Sequence, residues 1–387
     1  MSLSHVISIS DACSLDWDVI VVGAGPAGCV AAHQLSLQKL RVLLIERKAF
    51  PRYKVCGCCL NQRAISSLQQ IGLGTIVEDL DIVRLDSFQV RYSGREAIIP
   101  LPGGIAISRS VFDEKLVQAA IHAGSCFLPE TTAMLRNYTE HDQARDVELT
   151  HQGELSGVVT AKIVLVADGL GHPSLQNCEG FKSVISENSR IGVGTLLAED
   201  GSAEYPAGMI HMAINKNGYV GLVRVEDGRL NIAAAIDRDF IKKSVSPKES
   251  VIQILKDSGF PILPEISEGS FKGTIPITRN TLKPVGKHVF VLGDAAGYLE
   301  PFTGEGMANA ISEAITVARI VPRALLKWDH QIEEEWLRKQ HDISVGRLYW
   351  CRWLAQLLRS PRAVGLGLRL FHMFPGVARP IVTRLNR

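Results

Sequence analysis

Asp18-Val-Ile-Val-Val-Gly23-Ala-Gly25-Pro-Ala-Gly28 is the stretch that decides the fold. A short β-branched run leads into a glycine-rich turn, helical spacing follows over residues 27–37, and residues 41–45 read as a second strand. That is a βαβ unit with its turn at the carboxyl end of the first strand. The three glycines of G-x-G-x-x-G have separate physical tasks. Gly23 permits the tight turn, Gly25 lets a pyrophosphate approach the backbone, and Gly28, next to Ala27, lets helix and strand pack closely. The amino end of the helix then meets the phosphate charge. Glu46 ends the second strand roughly 20 residues further on, where an acidic side chain accepts hydrogen bonds from a ribose diol; Arg47 follows it. G-x-G-x-x-G alone is a weak signal, but strand, helix and acidic residue in register make a dinucleotide fold the expectation.

Two later stretches answer this one. Ala167-Asp168-Gly169 and Gly293-Asp294-Ala-Ala-Gly297 each close a buried apolar run. Ligands of open α/β sheets sit at the carboxyl ends of strands, so both aspartates are expected in the crevice of the glycine turn. Short alternating strands over 85–101, and antiparallel strands over 191–236 broken at Asn217-Gly218 and Asp227-Gly228, read as a second sheet. Residues 108–123 and 304–326 read as helices. The expected fold is α/β. A Rossmann-like nucleotide-binding domain takes residues 16–84, 107–182 and 278–328. An inserted, mainly antiparallel β-sheet substrate domain takes 85–106 and 183–277, and a helical, basic C-terminal segment takes 329–387.

With these motifs in order, the chain resembles the para-hydroxybenzoate-hydroxylase-type FAD-dependent oxidoreductase superfamily, and within it the geranylgeranyl-reductase-like branch. Pro51-Arg-Tyr-Lys54-Val-Cys56-Gly57 fits that branch's P-x-x-K-x-C-G stretch. Gly293-Asp-Ala-Ala-Gly-Tyr-Leu-Glu-Pro301-Phe-Thr-Gly304-Glu-Gly306-Met307 and Ser108-Arg109 before Phe112-Asp113 match as well, so the resemblance covers nearly the whole chain. It implies non-covalent FAD, with Asp294 on the ribityl chain and Arg109, Asp168 and Gly169 near the pyrophosphate and ribityl region. The backbone N–H groups around Gly304, Gly306 and Met307 then face the flavin's pyrimidine edge. By the same resemblance Lys54 and Cys56 lie beside the ring, where Cys56 shapes the substrate's position or donates a proton. A thiol of ordinary pKa, about 8.5, is mostly protonated at neutral pH unless a cation such as Lys54 lowers it.

The branch's Y-x-W-x-F-P stretch becomes Tyr219-Val-Gly221-Leu-Val223-Arg224 here. Tyr219 stays a candidate catalytic residue, while the missing Trp and Pro set a polyprenyl substrate in question. The W-x-W-x-I-P stretch of flavin halogenases is absent. The implied activity is reduction of an apolar or aromatic small molecule, prenyl-, lipid- or polyketide-like, with NAD(P)H as transient electron donor. An NAD(P)H-dependent monooxygenase is the alternative on the same scaffold, and a flavin halogenase or a non-catalytic flavin- or lipid-binding module stands behind it.

Cys56-Gly-Cys58-Cys59 admits a redox disulfide, a metal site, or one functional thiol beside packed ones. Metal is disfavoured, because no second Cys or His cluster with zinc spacing accompanies it. Nor is there a second G-x-G-x-x-G for the nicotinamide of a disulfide-shuttling flavoenzyme. The 42 basic and 40 acidic side chains nearly cancel, so no global field selects nucleic acid. The first residues lack a cationic, apolar signal-peptide pattern, which predicts a cytoplasmic protein with reduced thiols. Residues 343–387 carry eight arginines and no acidic residue, with Trp350, Trp353, Leu354 and Leu357 at helical spacing. Such a pattern suits peripheral contact with membrane or lipid, or a cap on the protein's own cavity.

Overall fold

The computed structural model describes residues 5–78, 82–137, 143–198, 203–299, 304–357, 360, 363–365, 367 and 368, without the side chains of 344–357. Strands Val289–Val291, Glu154–Val166, Trp17–Val22, Val42–Ile45 and Cys126–Leu128 run parallel in that order across the central sheet. A parallel sheet covered on both faces needs continuous apolar strands, and Val19, Ile20 and Val21 are accordingly fully buried. Helix Pro26–Leu37 packs against helices Arg109–His122 and Gly306–Leu326, and ten of its twelve residues are buried. Its approach to the sheet is so close that an ideal Cβ on Gly28 would lie 1.9 Å from the Gly23 carbonyl oxygen. Gly23, at φ +101°, would put a Cβ 2.5 Å from the Ala167 oxygen.

The strand ending at Val166 is longer than its apolar run predicts. Its amino half pairs antiparallel with Arg145–His151, which pairs in turn with Thr132–Leu135. Residues 154–158 are exposed or half-buried and mostly polar or small, so no apolar run announces them.

The second sheet has seven strands in the order Lys272–Pro276, Ile191–Leu197, Leu230–Ile236, Gly218–Arg224, Met209–Asn215, Ser87–Tyr92 and Arg95–Pro100. All neighbours are antiparallel except Met209–Asn215 and Ser87–Tyr92. Side chains alternate between its faces. Ala213, Val220 and Ile232 pack toward helix Pro247–Ser258, while Met212, Tyr219 and Ala235 face a cavity against the first sheet. The expected Asn217-Gly218 turn sits one residue earlier, because Asn215 pairs with Gly218. Gly218 serves the neighbouring strand instead: a Cβ there would lie 2.4 Å from the Ala235 oxygen. Val285–Gly286, antiparallel to Val289–Val291, edges the central sheet, and two three-stranded sheets complete the named strands of the described residues, Ser183–Ile185 with Arg279–Thr281 and Gly297–Tyr298, and Cys59–Asn61 with Gly104–Ala106 and Val83–Arg84.

The long helix starts at Gly306, two residues later than its sequence pattern, because Gly304 has φ +72°. Helix His330–Leu357 follows, and no helix among the described residues is long and apolar enough to cross a membrane. The side chains of Trp350, Trp353, Leu354 and Leu357, and most of residues 358–387, lie outside the described residues. Val364 and Leu368, which do not, are buried against the cavity-facing side of the second sheet.

Gly28→Ala is expected to cost at least about 2 kcal/mol in urea unfolding, because backbone must move to admit one methyl group. Gly180→Ala, whose Cβ meets nothing within 4 Å, is the control and should stay within about 0.5 kcal/mol of the parent.

Candidate active site

A buried charge cluster underlies the glycine turn. Asp113, with no exposed surface, accepts hydrogen bonds from Nε and Nη2 of Arg109, each 2.8 Å. Arg52 Nη2 lies 3.2 Å from Asp113 and 3.4 Å from Glu46, and donates to the Ala24 carbonyl at 3.1 Å. Glu46 accepts from the backbone N–H groups of Ala24 (3.0 Å) and Lys48 (3.1 Å). The carboxylate expected on a ribose therefore already fixes the turn. Above the turn the backbone is open. A Cβ on Gly25 would meet only the tips of Arg109 at 3.7 Å and Arg52 at 3.9 Å. Ala27 is buried in the first turn of the helix, and the Arg47 side chain is exposed.

Asp168 and Asp294 do end neighbouring strands of the same sheet. Asp168 Oδ2 accepts from the Ser174 N–H at 2.8 Å, whereas Oδ1 is buried with no hydrogen-bond partner among the described residues. Burial raises this carboxyl to a pKa of about 6. Asp294 Oδ2 lies 3.6 Å from Lys54 Nζ, and Gly169, at φ +87°, lies beside the same ammonium. Gly293, at φ +59°, occupies the crossing of two helices, since a Cβ there would lie 3.2 Å from Ala27 Cβ and 3.7 Å from Ala310 Cβ. Its N–H donates to Glu313 Oε2 at 2.7 Å, and burial raises Glu313 to about 7. Gly304, Gly306 and Met307 bring the amino end of the long helix into the cavity wall. An orphaned carboxylate oxygen, open space over the Gly25 backbone and two helix amino ends around one crevice fit a bound dinucleotide such as FAD.

The cysteine loop differs from its sequence-based reading in charge. The Cys56 sulfur accepts from the Cys58 N–H at 3.5 Å, and the Cys56 carbonyl from Asn231 Nδ2 at 2.9 Å. Hydrogen bonding from Cys58 lowers the Cys56 thiol below its usual range, with Arg109 adding its charge and burial opposing. The sequence reading leaves this thiol protonated unless a cation lowers it; here hydrogen bonding from Cys58 leads the lowering, and the cation that adds to it is Arg109. Burial lowers the Lys54 ammonium itself, Arg109 adding repulsion and Asp294 opposing. Cys58 is pushed up by the same pairing and by burial, and burial pushes Cys59 up to about 12. All seven described cysteines are free thiols, and no cluster of metal-ligating side chains occurs among the described residues.

These elements form one end of a cavity of about 880 Å³. The apolar face of the seven-stranded sheet forms its other wall, and Ala363, Val364, Gly367 and Leu368 complete it. Tyr219 lines this wall, with the Arg190 guanidinium 5.6 Å over its ring. Gly221, where the reductase branch has Trp, also lines it, and a Cβ there would touch only Met212 Cε at 3.3 Å among side chains. Arg224, in place of the branch's Pro, is buried and donates to the carbonyls of Tyr205 (2.6 Å) and Gly228 (2.9 Å).

Sequence reading missed the parts that Arg52, Asn231 and Glu313 play, and it quoted Asp113 only as a motif match; a C-terminal cap on the cavity was one of its two readings, and Val364 and Leu368 are among the described residues that line the wall. Arg109 and Asp113 are four apart on one helix, a spacing that signals the ion pair. Arg52 lies inside the quoted P-x-x-K stretch, but Asn231 and Glu313 have no local signal.

The family model described as "FAD binding domain" matches residues 16–328. Similar curated proteins include conditioned medium factor receptor 1 of Dictyostelium discoideum, 24% identical over 86% of this chain and 68% of its own. Digeranylgeranylglycerophospholipid reductase 2 of Methanopyrus kandleri is 27% identical over 82% of this chain and 83% of its own. Menaquinone reductase of Mycobacterium tuberculosis is 26% identical over 89% and 85%. Among solved structures, a flavin-dependent brominase superposes with TM-score 0.77 at 17% identity, covering 96% of this chain and 94% of its own. A probable FAD-dependent monooxygenase from Pseudomonas aeruginosa gives 0.70 at 18%, covering 92% and 99%. At such identities the structures speak for the fold.

Gly25→Val should fold, since its side chain meets only two flexible arginine tips, yet fail to retain FAD in flavin-fluorescence titration. Asp168→Asn should separate stability from binding. With the folded carboxyl raised to about 6 from an ordinary value of about 3.9, its contribution to stability is present below pH 4 and lost as pH rises through 6. The cofactor-free asparagine variant should therefore be about 1–2 kcal/mol more stable than the parent at pH 7 after allowance for partial exposure, equal to it near pH 4, and weaker for FAD.

Proposed function

The chain belongs to the FAD binding domain family and is an FAD-dependent oxidoreductase, and from that premise we propose that it reduces an apolar or aromatic small molecule held between the glycine turn and the seven-stranded sheet. The observation that carries this reading is the cavity, whose sheet side is apolar and whose opposite side is lined by the glycine turn at Gly25, by Gly169 and by Asp294. Relatives named as reductases of a prenylated phospholipid and of menaquinone support a substrate of this character.

Bound here, FAD supplies two-electron redox chemistry. Gly25 and Ala27 would hold its pyrophosphate at the helix amino end, in the turn whose close packing needs Gly23 and Gly28, with Glu46 and Arg47 on the adenosine side. Asp168, Gly169 and Asp294 hold the ribityl portion, and Arg109, locked by Asp113, places positive charge beside it. Gly304, Gly306 and Met307 aim a helix amino end at the region where negative charge accumulates on reduction. Lys54, Cys56 and Tyr219 stand in the wall that the substrate meets. Of these Lys54, its pKa lowered by burial, holds a releasable proton, while Cys56 beside Arg109 orients the substrate as an anion. Reduced nicotinamide, NAD(P)H, is the external electron donor.

Photoreduced holoenzyme should convert an isoprenoid-substituted naphthoquinone or an unsaturated isoprenoid phospholipid in a single anaerobic turnover, adding two hydrogens by mass spectrometry. Product that forms only after oxygen is admitted, with an oxygen atom incorporated, replaces the reductase with a monooxygenase. Cys56→Ser should keep FAD and change turnover or product pattern.

A further inference from the structure

Two neighbouring residues of the seven-stranded sheet offer the cavity almost bare backbone. Gly221 and Ala233 pair across their strands and both line the cavity, and each is the only residue of its strand that is not buried. A small molecule in the cavity therefore reaches the peptide planes at this pair. Around it the wall rises on every side. Across the strands, Gly194 continues the row beyond Ala233, and Met212 continues it beyond Gly221. Gly194 is covered, for a Cβ there would lie 2.9 Å from the Tyr53 hydroxyl oxygen and 3.1 Å from Val55 Cγ1. The Met212 thioether closes the other end, its Cε 3.3 Å from a Cβ built on Gly221. Along the strand, Tyr219 and Val223 flank Gly221 on the same face and line the cavity too. Between Cα atoms the row from Gly194 to Met212 spans roughly 14 Å, and Tyr219 to Val223 roughly 13 Å, before the bounding side chains take their share. What is left is short, wide and flat-bottomed. A flat ring stacks on such a floor over its whole area, whereas a linear chain needs an open-ended groove to make the same contact.

We propose that Gly221 and Ala233 form the floor of a ring-sized recess that selects a planar bicyclic aromatic substrate, with any aliphatic or isoprenoid chain left to the rest of the cavity. This rests on the reading of the cavity as the substrate site. The recess borders the reactive loop. Tyr53 and Val55 stand at its Gly194 end, and Asn231, two residues before Ala233 on the same strand, donates to the Cys56 carbonyl at 2.9 Å. A ring, and not a chain, is then what meets the loop of Lys54 and Cys56.

The test uses FAD-loaded protein and the probes 2-methyl-1,4-naphthoquinone, geraniol and the three-ring 1,4-anthraquinone, with dissociation constants from calorimetry and flavin absorbance to identify variants that keep their cofactor. Filling the recess by Gly221→Trp, or independently by Ala233→Leu, should weaken the naphthoquinone about 5- to 100-fold, the effect of overpacking, and leave the flexible geraniol within about threefold. Met212→Ala opens the far end of the row and should tighten the anthraquinone relative to the naphthoquinone, a gain that damage to the fold does not produce. Equal weakening of naphthoquinone and geraniol by the filling variants, or no relative gain in Met212→Ala, overturns the ring recess and leaves the cavity as the site. If filling variants that keep their FAD leave both probes untouched, the cavity is not the site and the proposed function falls with the recess.

Discussion

Asp113 is the fixed point of this molecule. A carboxylate with no exposed surface is tolerable only when its charge is matched, and here one arginine grips it with two hydrogen bonds while a second stands 3.2 Å away. Removing one member of such a pair typically costs about 3–5 kcal/mol, because the charge left behind is buried and uncompensated. That cost enforces geometry beyond the pair. Arg52 leads into the loop of Lys54 and Cys56 and also touches the Ala24 carbonyl and Glu46. Arg109 opens its helix and adds its positive charge beside Cys56. One buried anion thus ties the glycine turn, the second strand's tip, the reactive loop and a helix start into one unit.

Around that unit the two halves of the cavity are built by opposite means. On the nucleotide side, glycines bring backbones together: Gly23 against Ala167, Gly28 against Gly23, and Gly293 between two helices. A side chain at Gly23 or Gly28 collides with main chain, and one at Gly293 crowds the Ala27 and Ala310 methyl groups, so these positions allow little variation. On the sheet side, glycines leave space. Gly221 opens volume next to Met212, and Gly194 makes room for a phenol oxygen. A side chain added at Gly221 meets a flexible thioether, which can move. The first kind of glycine fixes the fold and the second shapes what enters it.

This difference explains what could be read from the sequence. The fingerprint, Asp168 and Asp294 were legible because local backbone geometry demands their residue types at strand ends and turns. The second sheet was legible from alternation between turn signals. Other features depend on contacts between distant segments and leave no local trace. The lowering at Cys56 begins with Cys58, but the cation that adds to it is Arg109, 53 positions away, and nothing in the neighbouring sequence announces that pairing. The polar amino half of Glu154–Val166 is a strand only because Arg145–His151 pairs with it. Val364 and Leu368 lie in an arginine-rich segment whose pattern suits a membrane surface and a cap on the cavity equally, and only their packing against the second sheet decides for the wall.

A scaffold that holds its cofactor by backbone and its substrate by side chains can change chemistry without changing fold. Substitutions on one face of a half-buried sheet alter the cavity while the opposite face keeps its packing against helix Pro247–Ser258, since the two alternate along every strand. The strand Gly218–Arg224 shows the consequence within seven residues. Tyr219 and Gly221 face the cavity, Val220 and Leu222 pack beneath, and Arg224 at the end bonds to Tyr205 and Gly228 to hold the hairpin. Replacing a bulky aromatic by glycine at 221 widens the cavity without disturbing the layer behind it. On the proposed reading of the cavity as the substrate site, specificity is set by the cavity-facing positions of the second sheet and by the loop of Lys54 and Cys56 opposite. The glycine turn that identifies the fold sets only which cofactor is held.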